Sequence, residues 1–101
     1  PSLHINFIMD VSPDCDCWGH NDLPLVADIG IAASKDPVAL DKACADMVVA
    51  APASPHLRGE GGDLSGVDKF RIAHKNVNWN TILEHAEKIK AGTFSYKLTR
   101  I

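Results

Sequence analysis

The sequence predicts an α/β fold: a small, mostly parallel or mixed sheet with two or three helices on at least one face. Three observations carry this. Apolar and polar residues alternate from Leu3 to Val11, a nearly unbroken apolar run follows from Leu25 to Ala33, and Asp36-Pro37 opens a stretch of helical periodicity. The chain has 101 residues, enough for one domain, with 46% of residues apolar and 23% charged, so it can support a core.

The first element is a strand. Leu3, Ile5, Phe7, Met9 and Val11 alternate with His4, Asn6, Ile8 and Asp10, the period of a strand with one face buried. Ser12 to Leu23 holds Pro13, Gly19, Asn21 and three aspartates, and reads as a loop. Leu25 to Ala33 is broken only by Asp28 and Gly30, the pattern of a strand covered on both faces. Gly30 suggests a place where another backbone comes close.

Asp36 can accept the first N–H groups of a helix, and Pro37 suits the first helical position because its missing N–H would have no partner there. The helix should run to about Ala51 and stop at Pro52. Residues 52–66 hold two prolines, four glycines and two serines and are expected to form a long flexible loop. Within it, Arg58-Gly59-Glu60-Gly61-Gly62 lacks the Gly-Lys-Ser/Thr ending of a phosphate loop, and no strand feeds it. Val67 to His74 reads as a short helix. Trp79, Ile82, Leu83, Ala86 and Ile89 mark one face of another, with Asn78 as its cap and Gly92 at its end. Phe94, Tyr96 and Leu98 alternate with polar residues as a last strand. Three strands leave two open edges. The chain is therefore expected to be part of a larger domain, or to assemble with another chain or a second copy through a strand edge.

Ten basic and thirteen acidic residues give a net charge of −3, which argues against a nucleic-acid binder. No apolar run reaches the roughly 20 residues of a membrane helix. Three cysteines are too few, and odd in number, for a secreted disulfide framework, so a reducing, cytoplasmic setting is expected.

The charge is uneven. Residues 1–35 carry five aspartates against Lys35 alone, a setting that suits a cation better than an anion, or a solvated acidic loop. That segment contains Cys15-Asp16-Cys17-Trp18-Gly19-His20. In an extended loop, residues i and i+2 point the same way, so both sulfurs can face one metal, with His20 as a third ligand after a flexible glycine. Zinc or iron suits such a donor set. Two other readings stay open: reduced cysteines that simply pack as small apolar groups, and a redox-active pair. Asp28 in the apolar run and Asp41 on the apolar side of the first helix are candidate orienting partners for the loop, or acids bonded to nearby backbone. Together with Asp36 they are also candidates to line a small-molecule pocket. Cys44 shares an apolar helix face with Leu40 and Met47 and reads as core.

Residues 5–17, Pro24 to Gly30 and Ser34 to Ala43 resemble a large family of uncharacterised bacterial and archaeal iron–sulfur centre proteins, domain of unknown function number 362. The surroundings of Phe70, Trp79 and Tyr96 look similar too. The resemblance is to the C-terminal part of that family. It implies a parent chain of several hundred residues with an iron–sulfur cluster, whose ligands lie mostly outside these residues, and a redox partner. Cys15 and Cys17 match a cysteine pattern of the family. The chain is then expected to present the Cys-x-Cys loop near a metal or redox centre.

Overall fold

Strand β1 (His4–Ile8) and strand β2 (Gly30–Ser34) pair antiparallel in a computed structural model that describes residues 2–15, 17–58 and 62–101. Ile5 stands opposite Ala33 and Phe7 opposite Ile31. Helix α1 (Pro37–Ala50) follows directly, then a single 3-10 turn (Pro55–Leu57), helix α2 (Lys69–Ala73) and helix α3 (Asn80–Lys88). The fold is mixed α/β with three helices, as the sequence predicts. The sheet is antiparallel where a parallel or mixed one was expected, because β1 and β2 are joined without a crossover helix.

α1 forms where its signals place it. The Asp36 carboxylate accepts from the N–H groups of Val38 and Ala39 at 2.9 and 3.0 Å, and Pro37 is the first helical residue. The helix buries Val38, Ala39, Leu40, Ala43 and Val48 and packs on both strands and against α2 and α3. Ile8, Leu25, Val26 and Val48 are the centre of the core, lined by Met47, Cys44 and Phe70. Burying four such side chains contributes on the order of 1.5–3 kcal/mol each.

Three expectations are corrected. The alternation in β1 exists, but its apolar side points outward: Ile5, Phe7 and Ile31 are 53%, 64% and 67% exposed. α1 covers the opposite side, which carries His4, Asn6 and Ile8. Second, the run from Leu25 is not one doubly buried strand. Leu25 and Val26 are buried outside the sheet, Val26 making an isolated antiparallel bridge with Ala53, and β2 starts only at Gly30. Gly30 has φ +149°, a backbone state that favours glycine, and nothing crowds its open side, so conformation rather than close approach explains it. Third, residues 94–99 form no strand. They are held by side chains instead: Phe94 N–H donates to Glu87, and the Tyr96 hydroxyl donates to Asp46 at 2.6 Å.

The start of the long loop is tied down. Ser54 N–H donates to Leu25, Ala53 N–H to Asp63, and Arg58 Nε to Ala53. Gly59, Glu60 and Gly61, the middle of the glycine-rich stretch, lie outside the described residues, as do Pro1 and Asp16. Among the described residues, no helix is long and apolar enough to cross a membrane.

Candidate functional site

The Cys15–His20 loop leaves β1 and returns to the core at Leu25, whose N–H donates to Val11 at 2.7 Å. Asn21 closes it. Its side-chain oxygen accepts from Asp14 N–H, and its amide donates to the carbonyls of Asp14 and Cys15 at 2.7 and 3.1 Å. Inside it, Trp18 N–H donates to the Cys15 carbonyl at 2.9 Å. Asparagine does this readily because its amide offers an acceptor and two donors at once.

His74, at the end of α2, braces the loop from below. Its Nε2 lies 2.7 Å from the Pro13 carbonyl and 3.0 Å from Asp14 Oδ1. A carbonyl only accepts, so Nε2 carries the hydrogen shared between the two oxygens. Pro13 and His74 also line an apolar hollow of about 150 Å³ with Leu25, Phe70 and Trp79.

Within this frame Cys15 and Cys17 are both exposed. The Cys17 thiol donates toward Cys15 Sγ, with the sulfurs 2.8 Å apart, and Cys17 N–H approaches the same sulfur at 3.5 Å. Sharing its hydrogen with Cys15 pushes the Cys17 thiol above its ordinary value of 9.0. The two sulfurs meet beside the bond from Trp18 N–H to the Cys15 carbonyl, where the sequence predicts extended backbone.

The other candidates sit elsewhere. The His20 ring stands edge-on to Trp18, with centroids 5.5 Å apart. Asp28 Oδ1 accepts from Asp10 N–H at 3.0 Å, and Asp41 Oδ1 accepts from Asn6 at 3.0 Å, so both acids are tied to β1 or the residues just after it. Asp28 also lines a hollow of about 300 Å³ with Ser54 and Arg58. Asp36 is engaged as the cap of α1. Cys44 is half-buried and accepts from Asn6 at 3.5 Å; burial pushes its thiol up. Among the described residues, no three His, Cys, Asp or Glu side chains gather closely enough to hold a metal ion between them.

Thiolates are the donors that zinc, iron and iron–sulfur clusters take, and the loop offers two. Two thiolates on one tetrahedral zinc stand about 3.8 Å apart, so the pair has to open by about 1 Å to admit an ion. The donor chemistry fits. A set of four requires ligands from beyond the described residues. Asn21 and His74 were not legible as site residues in the sequence; Asn21 carries only a generic turn signal, and His74 is sixty-one residues from its partner Pro13.

Residues 2–46 match the model of a family described as Domain of unknown function (DUF362). Over this stretch, somewhat under half of its length, the chain is similar to that family. It contains β1, the cysteine loop, β2 and most of α1; α2 and α3 lie outside the matched range. No curated protein and no solved structure matches the chain.

Proposed function

We propose that this DUF362 segment contributes two thiolate ligands, from Cys15 and Cys17, to a zinc, iron or iron–sulfur centre in a cytoplasmic redox protein. His20 is the third candidate ligand, and the remaining ligands come from the rest of a parent chain or from a partner. The observation that carries this is the pair of exposed sulfurs held 2.8 Å apart on a loop closed by Asn21. Three cysteines, odd in number and too few for a secreted disulfide framework, fit a reducing compartment. Asp28 and Asp41 act one step back, positioning β1 and the strand end from which the loop departs.

The test is elemental analysis with ultraviolet–visible spectroscopy on protein purified anaerobically and reduced, then offered zinc or ferrous iron. About one metal per chain is expected, lost in the Cys15→Ser/Cys17→Ser double variant. Wild-type protein that takes up neither metal sinks the proposal.

A second reading is favoured by the outer face of the sheet. Leu3, Ile5, Phe7, Met9 and Ile31 are all exposed there, and isolated two-stranded sheets are marginal in water. In that reading the segment completes a larger sheet or pairs with a second copy, and has no site of its own. Light scattering on the purified chain and on a Phe7→Asp variant checks it: self-association lost in the variant supports the reading, and a monomeric wild type with no metal-independent partner counts against it.

A further inference from the structure

In their metal-free state the same two sulfurs are placed for a different reaction. The inference rests on the exposure and spacing of Cys15 and Cys17, and it stands whether or not they also hold a metal. We propose that Cys15 and Cys17 form a thiol–disulfide exchange pair that takes small-molecule or protein disulfides as its substrate.

Three features of the loop support it. The sulfurs are 2.8 Å apart, already within van der Waals contact, so little movement separates the dithiol from a bonded pair. Both are exposed, so an external disulfide can reach them. The Asn21 bonds to Asp14 and Cys15 and the Trp18 N–H bond to the Cys15 carbonyl anchor Cys15 and the residue after Cys17, and Cys17 itself bonds to Cys15 Sγ through its thiol and its N–H. Cys44 is apart from them, half-buried and bonded to Asn6.

The chemistry balances as follows. The Cys15 sulfur, the one that accepts from Cys17, attacks one sulfur of the external disulfide. The bond between the two external sulfurs breaks, and one substrate thiol leaves. The Cys17 sulfur then attacks Cys15 in the mixed disulfide and expels the second substrate thiol. The dithiol is oxidised by two electrons, the external disulfide is reduced to two thiols, and the two cysteine protons end on them. A ring closed across a single intervening residue departs from relaxed disulfide geometry, and exposed, strained disulfides are readily reduced. The oxidised pair therefore passes its oxidation on, which makes it a carrier rather than a staple.

The experiment uses the whole chain, reduced and metal-free, mixed with oxidised glutathione as the probe. Of the three thiols in the chain, two are expected to disappear, with peptide mapping placing a Cys15–Cys17 link and the mass falling by two hydrogens. Cys44→Ser should behave like wild type apart from its missing thiol. Cys17→Ser should stop at a glutathione adduct on Cys15. Retention of all three thiols, separate glutathione adducts on both cysteines, or a link through Cys44 each overturns the proposal. Zinc uptake by the reduced protein is measured in parallel. Ring formation without uptake of either zinc or ferrous iron sinks the metal proposal alone, and zinc uptake without ring formation sinks this one alone.

Discussion

Lys69 Nζ donates a 2.7 Å hydrogen bond to the carbonyl of Val49, at the C-terminal end of α1. The same ammonium donates to Val48 at 3.1 Å and to Val67 at 3.2 Å, and the side chain is fully buried. The reason lies in the sequence four residues on. The N–H that would close the helix on Val48 belongs to position 52, which is proline and has none. Pro52 ends the helix and creates an orphan carbonyl, and a lysine from α2 satisfies it while placing positive charge at the negative end of the helix.

Replacing Lys69 by methionine should therefore destabilise the chain by about 1–3 kcal/mol, since the buried Val48 carbonyl loses its donor, while Val49 keeps the Gly66 N–H and Val67 is exposed. Burial pulls the Lys69 ammonium below its ordinary 10.5, while Asp63 and Asp68 oppose that. Urea unfolding of Lys69→Met checks the prediction, and an unchanged midpoint would refute it.

Asp36 does two jobs at once. It caps α1, and its second oxygen accepts from Thr93 N–H at 2.9 Å, binding the tail to the start of the helix. The tail comes so close at Gly92 that an added methyl group would collide with Asp36 Oδ1 and Val38. Gly92→Ala should lower the melting temperature, and less so in an Asp36→Ala background, where part of the clash is gone. The backbone bond from Ala39, helped by Thr93 and Val38, holds the Asp36 carboxyl below its ordinary 3.8. Its contribution is thus complete above the ordinary carboxylate range and fades as pH falls through the lower folded-state value. Asp36→Asn keeps the cap and should flatten that acid limb of a melting-temperature profile.

Tyr96, the single tyrosine of the chain, donates to Asp46 at 2.6 Å, and Asp46 also pairs with Lys42. The hydrogen bond to Asp46, with desolvation and the aspartate's charge behind it, pushes the phenol from 10.0 up to about 12. The raised value means that folding favours the protonated phenol. Its contribution is whole below pH 10.0 and is lost as pH rises through about 12. A phenolate absorbance titration should show one late midpoint, moving down toward the ordinary value in Asp46→Asn.

Some of this was written in plain local signals. Asp36-Pro37 and Pro52 bound α1 because caps and prolines act through their own backbone. That Cys15 and Cys17 come together follows their two-residue spacing, although the bond from Trp18 N–H to the Cys15 carbonyl shows that the backbone there is not extended. What escaped the sequence depends on partners far along the chain. The alternation of Leu3, Ile5 and Phe7 announces a strand but not which side α1 will cover, and the helix covers the side of Asn6 and Ile8. Phe94 to Thr99 has strand periodicity, yet side-chain bonds to Glu87 and Asp46 hold it where no strand edge is paired with it. Lys69 looks like any surface lysine until Pro52 leaves a carbonyl for it to reach.

Zinc uptake should depend steeply on pH. Sharing a hydrogen with Cys15 keeps the Cys17 thiol above 9.0, so near neutrality a metal must displace protons to bind. Affinity is expected to climb about tenfold per pH unit for each proton released, until the thiols are ionised. Competition against a chromophoric chelator between mildly acidic and mildly alkaline buffers measures the slope, and a flat profile would rule out thiolate ligation.

The loop's closure makes the last prediction. Asn21 supplies the acceptor for Asp14 N–H and donors for the carbonyls of Asp14 and Cys15, while His74 holds Pro13 and Asp14 from α2. These bonds are local and partly exposed, so each is worth roughly 1 kcal/mol. Asn21→Ala should speed hydrogen exchange at the Asp14 and Trp18 amides by about tenfold or more, because one loses its acceptor and the turn around the other loosens. His74→Ala should do the same more weakly at Asp14, with the exchange of α1 amides unchanged in both. In each variant Cys15 and Cys17 are held near one another for less of the time, so both zinc affinity and the rate of ring closure with oxidised glutathione should fall together. A variant that frees the amides while leaving both thiol reactions at wild-type values would show that the closure of the loop does not position its cysteines.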